Sequence, residues 1–349
     1  MTPSTPPTVA LGLRLRRLWK FMQRERLDRL LFLLLVIVLA STVSITLVEP
    51  EINLLNGLWW SVVTMTTVGY GDISPHSMGG RIIAMVVMFL GIGLLGMFSA
   101  TVASVLVSHK LREDHGLTHA KYRQHIILCE WNHRTAALLR DLRADPKTAH
   151  APIVLIADLP SKPIDDDDLH FISGQVNDET LQRANLAEAQ TVVILGDDRL
   201  EPTARDAKVV LACLTVESIN RNVYTIVELV SDANVRHCLR ANANEIVVNS
   251  NLTSGLLARA ALDHGITKVI GEWLSADHGD ELYKIKPPSS LVNQPFAEIL
   301  APMKIQYSCI VIGVEQGEDG EVISNPPADY VVRPGDRLVV VAPTRPEVS

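Results

Sequence analysis

Two long runs of apolar residues without a charge dominate the first third of the chain. The first, Leu30–Val48, holds 19 residues, and the second, Ile82–Val107, holds 26. At helical rise the first run measures about 28 Å, close to the hydrocarbon thickness of a membrane. The second run is longer than that thickness, so we expect it to tilt or bend. The pattern predicts two membrane-spanning helices, at 30–48 and 80–108.

A shorter apolar segment lies between the two predicted spans. Asn56–Thr66 is too short to cross a membrane, and an irregular, glycine-containing segment follows it. Irregular backbone is tolerated at membrane depth only where it is buried in protein or lines a water-filled path. We therefore predict that residues 55–72 form a re-entrant pore helix and loop. This segment belongs to a predicted membrane domain of residues 30–110.

Basic residues flank the predicted membrane domain on both sides. Residues 1–29 form a basic segment, and Lys110 and Arg112 follow the second span, so both ends are expected in the cytoplasm. The N-terminal segment is interpreted either as an amphipathic helix on the inner leaflet or as a frayed basic tail. Its apolar positions share one helical face: Leu11, Leu15, Leu18 and Met22.

Strand and helix patterns alternate along the rest of the chain, after a predicted linker at 111–124. Strands are predicted at 125–129, 153–158, 171–173, 191–195, 223–229 and 245–248. Helices are predicted at 135–143, 179–184, 203–217 and 252–264. This alternation predicts a parallel, doubly wound sheet of Rossmann type over 125–264. Short strand patterns at 282–285, 308–314, 321–323 and 337–341 predict a small α+β lobe over 265–349.

Charge divides the chain in the same way. Residues 1–110 carry nine Lys/Arg and five Asp/Glu, whereas residues 111–349 carry 23 and 34, and the whole chain is -7. The acidic larger part argues against nucleic-acid binding, which needs a positive surface. The four cysteines lack CxxC spacing, so neither a disulfide framework nor a zinc cluster is expected.

The segment Thr67-Val68-Gly69-Tyr70-Gly71 carries the clearest chemistry. A dehydrated potassium ion needs its hydration shell replaced by oxygen dipoles, which a row of backbone carbonyls supplies. The two glycines allow the unusual dihedrals that such a row requires. This pentapeptide is the known signature of potassium-channel selectivity filters, and Asp72 follows it directly.

This stretch resembles the pore of two-transmembrane prokaryotic potassium channels. The resemblance implies that Trp59 and Trp60 brace the filter through Tyr70 and that Asp72 lies at its outer mouth. Val63 stands where some members have a glutamate that pairs with this carboxylate. Because one chain offers one strand of the filter, a closed pore for K+ requires a homotetramer.

The soluble part resembles RCK domains. The segment HIILCEWN is similar to the first strand of the RCK N-lobe (TrkA-N, 125–264), and residues 265–349 resemble the C-lobe (TrkA-C). Residues 191–273 also resemble CASTOR/POLLUX-type channels. The resemblance implies a channel in the cell's inner (plasma) membrane with both termini cytoplasmic. It also implies RCK domains that assemble into a ring, with or without additional RCK subunits.

The first turn of the Rossmann-like lobe departs from the dinucleotide-binding pattern. It has no G-x-G-x-x-G, and Glu130 would set a carboxylate against a pyrophosphate. Hydride chemistry is therefore not supported, and no enzyme is expected. Asp158 ends the second strand, where a ribose-binding acid would lie, although a simple strand-end cap explains it too. Glu130 and Asp158 are the candidate ligand residues for a nucleotide such as NAD or ADP.

The resemblance to calcium-gated RCK channels implies a second kind of ligand. Asp197, Asp198 and Glu228 occupy places comparable to the carboxylates that hold Ca2+ or another divalent ion, but Val230 replaces a further one. Solvated surface charges are the alternative interpretation. Gly91, in the second span, is the candidate gating hinge, with close helix packing as the alternative.

A potassium-selective, ligand-gated channel is the leading hypothesis. A Trk-type regulatory protein of potassium transport or a nucleotide-responsive membrane protein is the alternative, although Trk-type subunits lack a pore loop. A membrane-tethered dehydrogenase would need the missing glycine fingerprint.

Overall fold

A computed structural model describes residues 27–275, 279–317 and 320–347 of the chain. The basic N-terminal segment, with its apolar face of Leu11, Leu15, Leu18 and Met22, lies outside these residues. The chain divides into two compact units, one ending at Arg112 and the other beginning at Glu113.

The first unit contains three helices: α1 Leu27–Val48, α2 Leu54–Met65 and α3 Met78–Asp114. Helices α1 and α3 are long and apolar enough to cross a membrane. Many of their large apolar side chains are exposed, as expected for surfaces that contact lipid or other chains. Helix α2 is the predicted short helix between the two spans.

Close contacts hold these helices together at the end where α1 stops. Trp60 packs in a buried cluster with Ile45, Ile52 and Ala84. Beside it, the carboxylate of the buried Glu49 accepts hydrogen bonds from the backbone N–H (2.8 Å) and hydroxyl (2.7 Å) of Ser77, just before α3 begins. Glu49 therefore joins the end of α1 to the start of α3.

Helix α3 continues beyond the apolar run that predicts it. The charge-free run ends at Val107, but the helix ends at Asp114, so the first residues of the predicted linker are helical. Charged residues do not stop a helix; it ends before Gly116, which has a φ of +64°. A glycine in this left-handed conformation is the common way to terminate a helix.

The first lobe of the second unit is a six-stranded parallel sheet in the order β3-β2-β1-β4-β5-β6. Its strands are β1 Ile126–Cys129, β2 Ile153–Ala157, β3 Leu169–Ser173, β4 Thr191–Ile194, β5 Tyr224–Leu229 and β6 Glu245–Val248. Its helices are α4 His133–Ala144, α5 Asp178–Arg183, α6 Pro202–Ile219 and α7 Val235–Arg240. Apolar clusters cover both faces of the sheet, which confirms the doubly wound fold.

The helix predicted at 252–264 is α8, Asn249–Leu262, and a further helix that was not predicted, α9 Ile266–Trp273, follows it. Gly265, with a φ of +97°, separates them.

The small lobe follows. Its antiparallel sheet has the order β7-β10-β8-β9, with β7 Glu281–Ile285, β8 Ile310–Glu315, β9 Val322–Ser324 and β10 Arg337–Ala342. Helix α10, Phe296–Tyr307, packs Ile299 and Met303 against this sheet. The sequence pattern missed α10 because Pro302, inside it, normally argues against a helix.

Candidate functional site

The backbone after helix α2 alternates in hand. Thr67, Gly69 and Gly71 have φ values of +63°, +58° and +74°, while the residues between them have no positive φ. In a regular strand successive carbonyls point in opposite directions. Reversing the hand of every second residue turns them to one side, which is the geometry that a row of ion-coordinating carbonyls needs.

The end of helix α2 anchors this segment. The carbonyl of Val63 accepts hydrogen bonds from the N–H groups of Val68 (3.1 Å) and Gly69 (3.3 Å), and the N–H of Thr67 donates to Thr64 (3.1 Å). The amides of the predicted filter therefore bond to the last carbonyls of helix α2.

Trp59 contacts two residues, Tyr70 in the predicted filter and Asp72 just beyond it. Its indole Nε1 donates a hydrogen bond to Oδ2 of Asp72 (2.9 Å), and its ring stacks on Tyr70 with centroids 5.8 Å apart. Trp60 is 5% exposed and lies instead in the helix cluster, to which Ile73 also packs. Bracing of the filter by Trp60 stays a prediction.

Gly91 lies where α3 crosses the end of α2. A Cβ added there would lie 2.9 Å from the Cα of Met65, closer than real Cβ contacts allow. The geometry supports the packing role, and the hinge role stays a prediction.

Five acids that the sequence analysis singled out lie near the carboxyl edge of the parallel sheet: Glu130, Asp158, Asp197, Asp198 and Glu228. Four of them form ion pairs with arginine or lysine. The ammonium of Lys208 lies 2.8 Å from both Oε2 of Glu130 and Oδ2 of Asp197. Arg199 adds an ion pair to Asp197 at 2.9 Å and is 3.6 Å from Glu130. Asp158 is exposed at the end of β2.

A second cluster lies beside the first. Arg134 is 2.8 Å from Oδ1 of Asp198 and 2.5 Å from Oε1 of Glu228, so it bridges the two. Arg205 contacts Asp198 at 3.1 Å. Glu228 also accepts hydrogen bonds from the N–H of Gly196 (3.1 Å) and from the Asn249 amide.

These pairings set the charge states at the edge. Hydrogen bonds from Arg199, helped by Lys208, hold the pKa of the Asp197 carboxyl well below its usual range. Burial alone would lower the pKa of Lys208, but its bonds to Asp197 and Glu130 outweigh burial and raise it. Asp197 and Lys208 are therefore both ionised at neutral pH.

The sequence reasoning missed the cations of this edge, which are Arg134, Arg199, Arg205 and Lys208. The available signal was Arg199 directly after the acid pair, together with bases along one predicted helix. Across residues 27–275, 279–317 and 320–347, no group of three or more His, Cys, Asp or Glu side chains is placed to hold a metal ion.

Glu130 supplies the left-handed turn that a glycine usually supplies after the first strand. Its φ is +78°, an uncommon conformation for a residue with a side chain. A cavity of about 480 Å³ opens beside it between the ends of β1 and β4 and helix α6. Leu200, Ala204 and Leu211 line its apolar part, while Asp197 and Lys208 lie at its polar part.

Comparison with known proteins identifies the family. The putative potassium channel protein YugO of Bacillus subtilis is 32% identical over 320 residues, covering 88% of this chain and 94% of the relative. The chain belongs to this family of potassium channels. The resemblance to two-transmembrane RCK channels is confirmed.

Family models cover most of this potassium channel. An ion channel model matches 31–108, a calcium-activated potassium channel slowpoke-like RCK domain matches 121–227, and a TrkA-C domain matches 281–345. The calcium-gated potassium channel TvoK of Thermoplasma volcanium is 29% identical over 85% of this chain and 84% of its own.

Among solved structures, the human SLO3 gating ring matches with a TM-score of 0.51 and 17% identity, which supports the RCK fold alone. The match covers 63% of this chain and 44% of the SLO3 chain, so this chain matches less than half of the SLO3 structure.

Proposed function

We propose that four copies of this chain form a potassium-selective pore in the cytoplasmic membrane, gated by an intracellular ligand. The alternation of hand at Thr67, Gly69 and Gly71 carries the proposal, because it is the backbone that a carbonyl-lined filter needs. One chain contributes one filter strand, so a closed ring of four is required. The basic flanks favour a cytoplasmic location for both termini, where the RCK domains would form a ring with or without additional RCK subunits.

For the ligand, a nucleotide such as ADP or NAD is the first candidate. The cavity beside Glu130 has a volume within the range of small-molecule sites, with an apolar part for a base and Lys208 at its polar part. An anionic ligand would compete with Glu130 and Asp197 for this ammonium. Ligand binding and ion-pair rearrangement would then be the same event.

Calcium is the second candidate, because TvoK is named as calcium-gated and is similar over most of both chains. Asp197, Asp198 and Glu228 stay the predicted ligands, although in the described residues these side chains are not grouped as a metal site and would have to rearrange to bind an ion. Each already has an arginine or lysine within 3.1 Å, so a divalent ion would have to displace a cation of the chain. This competition predicts weak divalent affinity.

Transmission to the pore would run through the segment that follows helix α3. The carbonyl of Gly116 accepts hydrogen bonds from the N–H of Ser173 (3.2 Å) and from the Arg183 guanidinium. The segment is thus fixed to the edge strand β3 and helix α5, so a movement of the lobe would be carried to α3. By linkage, an activating ligand must bind the open state more tightly than the closed one.

We propose no enzymatic role, since Glu130 stands where nicotinamide-dependent enzymes have their first glycines. The function is tested by potassium flux through the purified channel in liposomes, with ADP, NAD, Ca2+ and Mg2+ added in turn. We expect potassium flux to exceed sodium flux. We also expect ADP or NAD to change the potassium flux. Gly69→Ala should abolish selective flux while leaving nucleotide binding intact. Flux that Gly69→Ala does not alter would refute the pore assignment.

A further inference from the structure

The buried face of helix α1 consists largely of small, polar residues. Large apolar side chains such as Phe32 and Leu47 are exposed, whereas the buried positions beyond the first turn are Ser41, Thr42 and Ile45. Small residues on a membrane helix allow the backbone of a neighbouring helix to approach closely. This face of α1 therefore indicates a close contact, and helix α2 lies against it.

Gly57 lies where the backbone of α2 comes close to α1. A Cβ added to Gly57 would lie 2.7 Å from Oγ1 of Thr46, 3.2 Å from the carbonyl oxygen of Thr42 and 3.3 Å from a methyl carbon of Ile45. The Thr46 hydroxyl is held in place, because it donates a 2.8 Å hydrogen bond to the same Thr42 carbonyl. The space between the two helices therefore admits a hydrogen atom at position 57 but not a methyl group.

Ser61 continues this contact one helical turn later. Its side chain is fully buried, and its hydroxyl oxygen lies 3.4 Å from that of Thr42, within hydrogen-bond distance. Gly57 and Ser61 are four positions apart and so occupy the same face of α2. Helices α1 and α2 are thus held together over one turn, by close fit at Gly57 and by a polar contact at Ser61.

The residues that hold the filter lie on α2 within two turns of Gly57. Trp59 contacts Tyr70 and Asp72, and the carbonyl of Val63 accepts hydrogen bonds from two amides of the predicted filter. In the proposed tetramer each α2 would carry its own filter strand. The position of α2 on α1 would then set how far that strand lies from the pore axis, and a functional site must be held within about 0.5 Å of its productive geometry.

We propose that Gly57 is a positioning residue for potassium selectivity, because its missing side chain lets α2 lie against α1 at the distance that the filter requires. This role rests on the proposed tetrameric pore and adds to it a residue outside the filter. Alanine forms helices better than glycine, so helix propensity alone predicts that Gly57→Ala stabilises the protein. Close packing predicts the opposite, because α2 has to move away from Thr46 to admit the methyl group.

The test compares variants of the full-length channel reconstituted in liposomes. Gly57→Ala should lower the ratio of potassium flux to sodium flux at least about fivefold, because the filter strand leaves its productive geometry. Gly96→Ala is the matched control, since a Cβ added at this position of helix α3 meets no atom within 4 Å. Its flux ratio should stay within about twofold of wild type, as is usual for a substitution that disturbs no packed contact.

A second substitution tests whether steric fit is the cause. Thr46→Ala removes the atom that would lie nearest to the added methyl group, so Gly57→Ala/Thr46→Ala should regain most of the lost selectivity. Thr46→Val keeps the shape of threonine and loses only the hydroxyl, so Gly57→Ala/Thr46→Val should be as poor as Gly57→Ala. If Gly57→Ala does not form tetramers, the same pair still decides, because tetramers should return only with Thr46→Ala.

A readout that depends on bound potassium separates positioning from a general loss of stability. An ion that binds the filter stabilises the folded tetramer by mass action, so wild type should dissociate at a higher temperature in K+ than in Na+. Gly57→Ala should reduce this difference, whereas equal lowering in both salts would overturn the proposal. Unchanged selectivity in Gly57→Ala, or no greater recovery with Thr46→Ala than with Thr46→Val, would overturn it too. A wild type without potassium selectivity would refute the proposed pore itself, and the role of Gly57 with it.

Discussion

The indole of Trp59 donates a 2.9 Å hydrogen bond to the carboxylate of Asp72 and so ties the pore helix to the residue just beyond the filter. The same ring stacks on Tyr70 at an interplanar angle of 3°. One side chain thus holds both residues that flank Gly71, and the Val63 carbonyl holds the inner amides. Residues of helix α2 therefore contact both ends of the predicted filter.

Trp59→Phe should weaken the outer end of the filter while keeping an aromatic ring against Tyr70. A hydrogen bond to a charged acceptor contributes about 1.5–3 kcal/mol, so we expect a lower temperature of tetramer dissociation and reduced selectivity for K+ over Na+. Both are measured on the purified channel in detergent and in liposomes.

Asp72→Asn completes a double-mutant cycle for this bond. If the bond carries the effect, the double variant should be no worse than the poorer single variant. Simple addition of the two single effects would show that Trp59 and Asp72 act independently.

The left-handed backbone at Glu130 predicts which of two variants at this position is the more stable. Both Glu130→Gly and Glu130→Ala lose the ion pair with Lys208, but only glycine adopts a φ of +78° without strain. We expect the glycine variant to be more stable than the alanine variant by about 1 kcal/mol. For a unit of this size the melting temperatures would differ by about 2–4 °C. Equal stability would mean that the turn relaxes when the side chain is removed.

The ammonium of Lys208 lies between Glu130 and Asp197, 2.8 Å from an oxygen of each. Lys208→Gln should lower thermal stability, because two partly buried carboxylates lose their shared partner. Added Ca2+ should restore stability in this variant, whereas wild type should respond weakly. Lys208→Arg keeps the charge and serves as the control. Failure of Ca2+ to stabilise Lys208→Gln more than wild type would contradict the competition between lysine and metal.

Acid should weaken the RCK domain through the buried His125 and the half-buried His170. Burial lowers the pKa of His125 below its ordinary value of 6.5 and does the same for His170. The unfolded chain therefore takes up protons first as the pH falls. Stability should be constant above pH 6.5 and should fall below it, until the pH passes the lowered folded pKa.

His125→Gln tests this dependence, because its amide can still donate to the Ala184 carbonyl, to which the imidazole Nε2 is bonded at 2.9 Å. The slope of melting temperature against pH below 6.5 should become shallower but not vanish, since His170 contributes in the same direction. The exposed His264→Gln should keep the wild-type slope. Identical slopes in all three proteins would contradict the assignment.

The features that the sequence predicted are those that local chemistry determines. The filter depends on backbone dihedrals that glycines permit, and the strands of the parallel sheet are short apolar runs between turns. The cation partners of the acidic edge depend on distant residues, since 78 positions separate Glu130 from Lys208. No local pattern predicts such a pair.

The two largest errors in the predicted fold also have physical causes. Pro302 lies inside α10, where packing of Ile299 and Met303 outweighs its missing hydrogen bond. Helix α3 runs on to Asp114 because a polar, charged sequence can continue a helix that an apolar run began.

Gly116 provides the sharpest test of how the RCK domain is coupled to helix α3. Its φ of +64° disfavours any side chain, and an added Cβ would collide with the backbone N–H of Ser173. Gly116→Ala should therefore detach this segment from β3 and cost about 2 kcal/mol or more of stability. In liposomes, potassium flux should no longer respond to the ligand. Potassium selectivity should stay intact, because the filter is untouched. Gly255→Ala, on an exposed helix position with open space around it, is the matched control and should respond normally. A Gly116→Ala channel with a full ligand response would show that the force reaches α3 by another route.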